Sequence, residues 1–336
     1  MNEQKEKRSF EYVNYMLRPK KQIERKIIIE ILQELKKEIP LSKYLYIGFG
    51  SIYYYDFILF HKMLNINNLL SIDNKSTKKR FEFNRPYDFI SFENKVSTDF
   101  LRGYDWKHNS VLWLDYDDKL EDMVLSDLKI ITKNCKKKDI LIITLNAYCE
   151  KYRAKRKQSR ENFYSEFGTY ISQEHRDRKY YTHKNFPLLL QDVIINYLMT
   201  MSEYRDIRFY KLFSFRYQDR APMFTMGGIF DDNDELFNKD WGNKFISTTE
   251  EIKDINVPIL TYCEKFYIDS HIEELKQKVK KIEEETEEES PSLKEQKMTE
   301  KMMNEKVLPF ELHSFYDLKS YIEFYRYYPQ YYEGIL

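Results

Sequence analysis

Apolar residues recur at every fourth position within the segment KKQIERKIIIEILQELKKEI, near the start of the chain. They are Ile23, Ile27, Ile31 and Leu35. Because charged residues stand between them, the pattern predicts an amphipathic helix with one apolar face. Pro19 stands near the first turn, where a missing N–H costs little, and Pro40 marks the end of the helix.

Short apolar runs follow from residue 44 to about residue 146, separated by polar or helical stretches. In chain order they are YLYIG, LLSID, YDFISF, SVLWLD and DILIITLN. Strands that alternate with longer connections predict a parallel sheet with helices on its faces, which is an α/β fold. The connection from Asp73 to Tyr87 is only about a dozen residues long, so any helix within it is short.

The pattern changes again after residue 186. Residues 187–201, PLLLQDVIINYLMTM, predict a buried helix opened by Pro187. RFYKLFSF and MFTMGGIF flank the polar turn RYQDRAP and predict a long antiparallel hairpin, which makes the sheet mixed. A Lys/Glu run then predicts a charged linker over about 283–305. Helical spacing of apolar residues returns at Leu318, Tyr321, Ile322 and Tyr325.

Composition restricts the class of protein. Lysine plus arginine equals aspartate plus glutamate, at 55 each, so no overall field attracts nucleic acid or an anionic membrane. No apolar run reaches the roughly 18 residues of a membrane span, and the N-terminus lacks a secretion signal, so we expect a cytoplasmic protein without a membrane partner. Its three scattered cysteines are interpreted as buried thiols. The six histidines show no metal-ligand spacing, and no Cys-His arrangement is predicted.

Two glycines, Gly48 and Gly50, follow the first apolar run, with Ser51 next and a predicted helix after it. Such a turn lets a ligand approach the backbone at the carboxyl end of a strand, where open α/β sheets bind ligands. Asp73 ends the next run, where a carboxylate accepts hydrogen bonds from ribose hydroxyl groups. The competing interpretation is an ordinary tight turn followed by a helix-capping aspartate.

In order and spacing, residues 44–230 resemble the class I S-adenosylmethionine-dependent methyltransferase superfamily. The resemblance implies a Rossmann-like, mostly parallel sheet with a terminal antiparallel hairpin. With the patterns along the rest of the chain, we predict that domain at 41–258, between an N-terminal helical segment, 1–40, and a C-terminal helical annex, 259–336. The cofactor would be S-adenosylmethionine.

The same resemblance assigns cofactor contacts to Gly48, Gly50, Ser51, Asp73 and Asp99. Asp99, in KVSTDFL, takes the position that often contacts adenine in the superfamily, although an ordinary helix cap explains it equally well.

The chain departs from the superfamily pattern at two positions. Tyr46 stands where the superfamily has an acidic residue, and Ile52 stands at the third glycine.

Three carboxylates, Asp115, Asp117 and Asp118, follow the fourth apolar run in SVLWLDYDDKL. Crowded carboxylates raise at least one proton affinity or bind a cation. The segment is similar to the Asp-x-Asp-Lys segment of metal-dependent O-methyltransferases, whose later Asp-Asn pair corresponds here to Leu145 and Asn146. A divalent metal is the less favoured alternative, because a hard cation needs more oxygen ligands than these. We therefore predict no metal-ligating residue.

Methyl transfer needs a positioned, deprotonated nucleophile and a dry pocket. By their position, Asp115 and Asp117 are the candidate catalytic residues, as acceptors of the nucleophile's proton. The candidate substrate-binding residues are Tyr116, Asn146, Tyr148, Arg153 and Arg156.

Basic and aromatic residues interleave in KYRAKRKQSREN and RDRKYYTHKNF, after the fifth apolar run. This pattern is typical of a surface that holds a phosphate backbone and stacks a base, so RNA or a nucleotide is a candidate acceptor through loop 151–160. A solvated loop is the alternative, and the oligomeric state stays open.

Together these features predict an S-adenosylmethionine-dependent methyltransferase acting on a nucleic acid, a nucleotide or a protein. The alternative is a catalytically inactive module of the same fold that binds a nucleotide, RNA or a protein partner. The departures at Tyr46 and Ile52 favour that alternative.

Overall fold

A computed structural model describes residues 18–74, 78–152, 159–286 and 291–330 of the chain. The strands are β1 (Leu45–Phe49), β2 (Asn68–Ile72), β3 (Ile90–Glu93), β4 (Ser110–Asp115), β5 (Ile140–Asn146), β6 (Arg208–Gln218), β7 (Pro222–Asp231) and β8 (Lys253–Ile255). The helices are α1 (Pro19–Leu35), α2 (Tyr55–Leu64), α3 (Lys78–Phe83), α4 (Ser97–Gly103), α5 (Asp122–Asn134), α6 (Ser159–Phe167), α7 (Phe186–Met201), α8 (Glu235–Asn238), α9 (Tyr262–Ser270), α10 (Ile272–Glu285), α11 (Pro291–Asn304) and α12 (Phe315–Phe324).

Within these ranges the strands form one eight-stranded sheet in the order β3-β2-β1-β4-β5-β7-β6-β8. β1 to β5 pair in parallel, and β7 runs antiparallel to both β5 and β6. The predicted α/β class and the terminal antiparallel hairpin are confirmed. Because β1 to β5 all end on the same side, the turns that follow them share one edge of the sheet, here called the carboxyl edge.

The predicted helices are present. α1 starts at Pro19 and ends before Pro40. Its apolar stripe is buried, at 0% exposure for Ile23, Ile27 and Ile31. α3 has six residues, as the short connection required. In the described ranges no helix is both long and apolar enough to cross a bilayer.

The chain divides into two compact units. One contains residues 27–254, including β1 to β7, and the other contains residues 18–26 and 255–330. The segment 283–305, predicted to be a linker, instead contains the end of α10 and the whole of α11. The reason is that both helices bury apolar stripes at helical spacing. These stripes are Leu275, Val279 and Ile282 in α10 and Met298 and Met302 in α11.

The prediction that all three cysteines are buried is confirmed for two of them. Cys135 and Cys149 are buried. Cys263 is exposed, so the prediction of a buried thiol is wrong at that position. It lies near the start of α9, in a turn that also exposes Tyr262.

Lys211 on β6 buries its ammonium group, whose Nζ donates to the Ser247 carbonyl oxygen at 2.9 Å. Burial lowers the pKa of Lys211 to about 8, against the opposing attraction of Glu250 and Glu251. Between that value and the ordinary value of 10.5, the folded chain holds fewer protons here than the unfolded chain does. The free energy of unfolding therefore rises with pH across this window.

We expect this one group to contribute a slope of up to about 1.4 kcal/mol per pH unit. Urea unfolding of the wild type and of Lys211→Met at several pH values measures it. The slope should be missing from the variant, whereas identical pH dependence in the two proteins would show that Lys211 is not the titrating group.

Candidate functional site

The glycine turn lies at the carboxyl edge between β1 and α2. The Gly50 amide donates to the Ile72 carbonyl oxygen at 3.4 Å, so the turn runs beside the end of β2. A Cβ atom at Gly50 would stand 1.9 Å from Ser71 Oγ, and one at Gly48 would stand 2.6 Å from the Tyr46 hydroxyl oxygen. A side chain at either position would therefore displace the Ser71 hydroxyl or the Tyr46 ring, because side chains of the protein itself approach the backbone there.

The two departures from the superfamily pattern lie inside the protein. Tyr46 is 1% exposed, and its ring stacks on Phe60 with 3.9 Å between centroids. Ile52 is also buried. Tyr46 therefore packs beneath α2 as a core residue, and its hydroxyl occupies the space next to Gly48.

Asp73 follows β2 directly and is mostly buried. Its amide donates to the Glu93 carbonyl oxygen at 3.1 Å, which fixes it to the end of β3. The Gly50 amide donates to the carbonyl oxygen of Ile72, the residue directly before Asp73, so Asp73 lies beside the glycine turn. The predicted pairing of this turn with the acid at the end of β2 is therefore present in space.

Ser51 belongs to the same turn. Its hydroxyl accepts a hydrogen bond from the Tyr53 amide at 3.3 Å. Within the described part of the chain, the amides of Ser51 and Ile52 donate to no protein atom. A turn with two available N–H groups next to a carboxylate has donors and acceptors for a ligand that carries both kinds of group.

Asp127 links three elements near the carboxyl edge. It lies in α5 and is fully buried. It accepts hydrogen bonds from Ser97 and Thr98 at the start of α4 and, at 2.8 Å, from the Tyr116 hydroxyl after β4. Burial raises the pKa of Asp127, and these three donors oppose that rise. Asp127 was not among the predicted site residues. The sequence feature that could have indicated it is a charged side chain on the apolar face of α5.

Tyr116 is not placed as an acceptor-site residue should be. It is 5% exposed, its hydroxyl is held by Asp127, and its ring packs edge-on against Phe49. Its assignment to the acceptor site is therefore corrected to a core role. Asp99 lies exposed in the first turn of α4, where an ordinary helix-terminal role explains it equally well.

The three aspartates after β4 differ in burial. Asp115 ends the strand and is half-buried, while Asp117 and Asp118 are exposed in the next turn. Burial raises the pKa of Asp118, but hydrogen bonds from Lys151 and from the Lys119 amide outweigh it and lower that pKa. Lys151 Nζ lies 2.8 Å from Asp118 Oδ1. Among the described residues, no three His, Cys, Asp or Glu side chains lie together in a group that could hold a metal ion.

A cavity of about 560 Å³ opens at the end of β5, and we call it the β5 cavity. Its volume is in the range of small-molecule sites. Two of the predicted acceptor-binding residues, Asn146 and Tyr148, line it, and Asn146 Oδ1 accepts from the Tyr148 amide at 3.0 Å. The full lining is Asn146, Tyr148, Lys151, His183, Gln218, Arg220, Ala221 and Pro222.

The other predicted substrate-binding residues, Arg153 and Arg156, lie outside the described residues, as does most of loop 151–160. At the ends of this loop, Lys151 pairs with Asp118, and the Arg160 guanidinium lies 4.9 Å from the centroid of the Tyr164 ring.

His183 lines the same cavity and was not predicted from the sequence. Its ring stacks on Tyr148, with centroids 5.0 Å apart and planes at 15°. Its Nδ1 atom lies 3.6 Å from Cys149 Sγ. His183 and Cys149 are 34 positions apart, so no local sequence pattern predicts their contact.

A family model described as putative O-methyltransferase matches residues 13–336. Trm1 from Pyrococcus horikoshii, solved with S-adenosyl-L-methionine, is a similar structure at 14% identity and a TM-score of 0.43, covering 66% of this chain and 57% of that one. This chain thus spans less than two thirds of the Trm1 length.

A putative S-adenosylmethionine-dependent methyltransferase from Listeria monocytogenes is similar at 10% identity and a TM-score of 0.33, covering 59% of this chain and 96% of that one. N-methyltransferase NodS from Bradyrhizobium japonicum, in complex with S-adenosyl-L-homocysteine, has 10% identity and a TM-score of 0.33, covering 63% and 98%. No curated protein matches the sequence significantly.

Proposed function

The chain belongs to the putative O-methyltransferase family, and on that premise we propose that it methylates an oxygen atom of an acceptor bound in the β5 cavity, with S-adenosylmethionine as donor. The observation that carries the proposal is the position of that cavity. It opens at the carboxyl edge of a sheet in the order β3-β2-β1-β4-β5-β7-β6, where open α/β sheets bind ligands.

The cofactor residues would be Asp73 and the turn that starts at Gly50. Asp73 would accept hydrogen bonds from the ribose hydroxyl groups, and the amides of Ser51 and Ile52 would donate to an anionic group. When bound, S-adenosylmethionine supplies an electrophilic methyl group on a sulfonium centre. The glycines contribute indirectly, since they let Tyr46 and Ser71 pack against the turn.

The acceptor would lie against Asn146 and Tyr148. Lys151 joins this cavity to the turn after β4 through its ion pair with Asp118. Two acceptor-binding candidates from the sequence thus stay in the proposal, while Asp115 and Asp117 are not among the residues that line the cavity.

A second candidate function is ligand binding without catalysis. The packing of Tyr46 against Gly48 favours it, because that packing replaces the acidic residue of the superfamily pattern with a core aromatic ring. Binding of S-adenosylmethionine without methyl transfer to any acceptor would support this function.

RNA or a nucleotide is the alternative acceptor, and we propose the cytoplasm as the compartment. The stacking of Arg160 over Tyr164 supports an RNA surface near loop 151–160. The presence of three cysteines without a disulfide bond supports a reducing compartment.

The test measures methyl transfer from tritiated S-adenosylmethionine to a panel of phenols and hydroxy acids and, in parallel, to total RNA. Gln218→Trp places an indole in the β5 cavity and should lower transfer by at least about tenfold, because a filled pocket excludes the acceptor. Cofactor binding, measured by thermal shift, should stay unchanged because the substitution is at the β5 cavity.

Gln173→Trp is the matched control, since Gln173 is also an exposed glutamine but does not line the cavity. Its transfer rate should equal that of the wild type. Full activity in Gln218→Trp would contradict the assignment of the cavity, and labelling of RNA alone would replace the small acceptor by RNA.

A further inference from the structure

His183 is held in one orientation at the wall of the β5 cavity. The Tyr148 ring covers one of its faces, and Cys149 Sγ lies 3.6 Å from Nδ1. Cys149 is itself fixed, because it is 5% exposed and its carbonyl oxygen accepts from the Tyr181 hydroxyl at 2.7 Å. The tautomer that places its hydrogen on Nδ1, directed at the sulfur, leaves a free lone pair on Nε2.

Nε2 is available to a ligand. Among the described residues it has no hydrogen-bond partner. His183 is an exposed residue that lines the cavity. An imidazole with one nitrogen anchored and the other open has the arrangement of a general base.

The other polar groups of the described lining are unsuited to that task. Lys151 is paired with Asp118, and hydrogen bonds from Lys151 and Lys119 lower the pKa of Asp118 despite its partial burial, so that carboxylate is a weak base. Arg220 stays protonated in proteins, and amides do not take up protons at neutral pH. Tyr148 donates its hydroxyl proton to Glu150 at 2.9 Å.

We propose that His183 is the general base that removes the proton from an aromatic hydroxyl group bound in the β5 cavity. This rests on the proposed function, and it narrows the acceptor to phenol-like compounds. The proton moves from the hydroxyl oxygen to Nε2 of His183. That oxygen then forms its bond to the methyl carbon as the bond from this carbon to the donor sulfur breaks, and the imidazolium releases its proton to solvent.

The charges around the cavity favour an aromatic hydroxyl over an aliphatic one. A phenol loses its proton to an imidazole far more readily than an alcohol does, because the ring delocalises the charge. Arg220 lines the cavity, and its positive charge stabilises an oxyanion there. The stacked pair of Tyr148 and His183 offers a planar wall for an aromatic ring.

The probe for this inference is 4-nitrophenol, whose absorption distinguishes phenol from phenolate. Titrated at slightly acidic pH without methyl donor, the wild type should bind the probe with a phenolate fraction several times that of the free probe. His183→Gln should remove that excess ionisation, since the amide cannot take up the proton. Proton transfer is measured here without turnover, so a failure to bind S-adenosylmethionine would leave this result intact.

His108→Gln is the matched control. His108 is an exposed histidine just before the amino end of β4, on the side of the sheet opposite to the carboxyl edge. It should retain the phenolate excess, and His183→Asn should behave as His183→Gln does. Excess ionisation that persists in both His183 variants would overturn the proposal, and so would a wild type that leaves the probe unbound or binds it only as the neutral phenol.

Discussion

Gly228→Ala is expected to destabilise the sheet-containing unit by about 3 kcal/mol or more. A Cβ atom at Gly228 would stand 2.2 Å from the Tyr210 carbonyl oxygen and 2.9 Å from the Lys211 Cα atom. Both are backbone atoms of β6, so the clash is relieved only if β6 and β7 move apart. Such a shift would disturb the longest strand pair of the sheet, which ends beside the β5 cavity.

Gly103→Ala is the matched control for this substitution. Gly103 ends α4, and an added Cβ atom would meet nothing within 4 Å. Urea unfolding should place its midpoint at or slightly above that of the wild type, because alanine restricts the unfolded chain. A Gly228→Ala protein as stable as the Gly103→Ala protein would show that β6 and β7 separate at little energetic cost.

Asp73→Asn is expected to weaken S-adenosylmethionine binding by about 100-fold. The carboxylate would accept hydrogen bonds from two ribose hydroxyl groups, and hydrogen bonds to charged groups are worth roughly 1.5–3 kcal/mol each. An asparagine keeps the size of the side chain but lacks the charge and one acceptor. Because Asp73 is mostly buried, the fold of the variant is checked by comparing its thermal unfolding with that of the wild type.

Asp105→Asn serves as the control for Asp73→Asn. Asp105 is an exposed aspartate before β4, away from the carboxyl edge, where it pairs with Lys107. Exposed ion pairs contribute little, so neither stability nor cofactor affinity should change. Equal weakening in both variants would point to a general effect of lost charge and not to a contact from Asp73.

The elements of the sheet could be predicted because their signals are local. Apolar runs bounded by polar turns indicated β1 to β5, and the two runs around RYQDRAP indicated β6 and β7. The Rossmann-like arrangement was implied by the resemblance to a known superfamily, and the order of neighbouring strands was not predicted, since periodicity alone does not specify it. The pairing of Asp73 with the glycine turn was predicted from the position of Asp73 at the end of the next apolar run.

The roles of individual residues could not be predicted where they depend on contacts with residues distant in sequence. A Cβ atom at Gly50 would clash with the hydroxyl of Ser71 on the adjacent strand, and no pattern around Gly50 in the sequence predicts this contact. Tyr116 was predicted to bind the acceptor, but its hydroxyl donates to the buried Asp127. The contact of His183 with Cys149 likewise forms only when the chain after β5 folds back.

The helical structure within 283–305 was not predicted for a different reason. The high charge of this segment suggested a linker, but a narrow apolar stripe suffices for a helix that packs on one side only. Within the segment, that stripe consists of Met298 and Met302 in α11.

The proposed chemistry depends on binding of S-adenosylmethionine by the turn after β1 together with the carboxylate after β2. Isothermal titration of the unaltered chain with S-adenosylmethionine measures this binding, with NAD and ATP as comparison ligands and Asp73→Asn titrated alongside. We expect saturable binding of S-adenosylmethionine by the wild type, in preference to NAD and ATP, and about 100-fold weaker binding by the variant. Absence of binding to the folded wild type, or equal affinity in the two proteins, would refute this cofactor site.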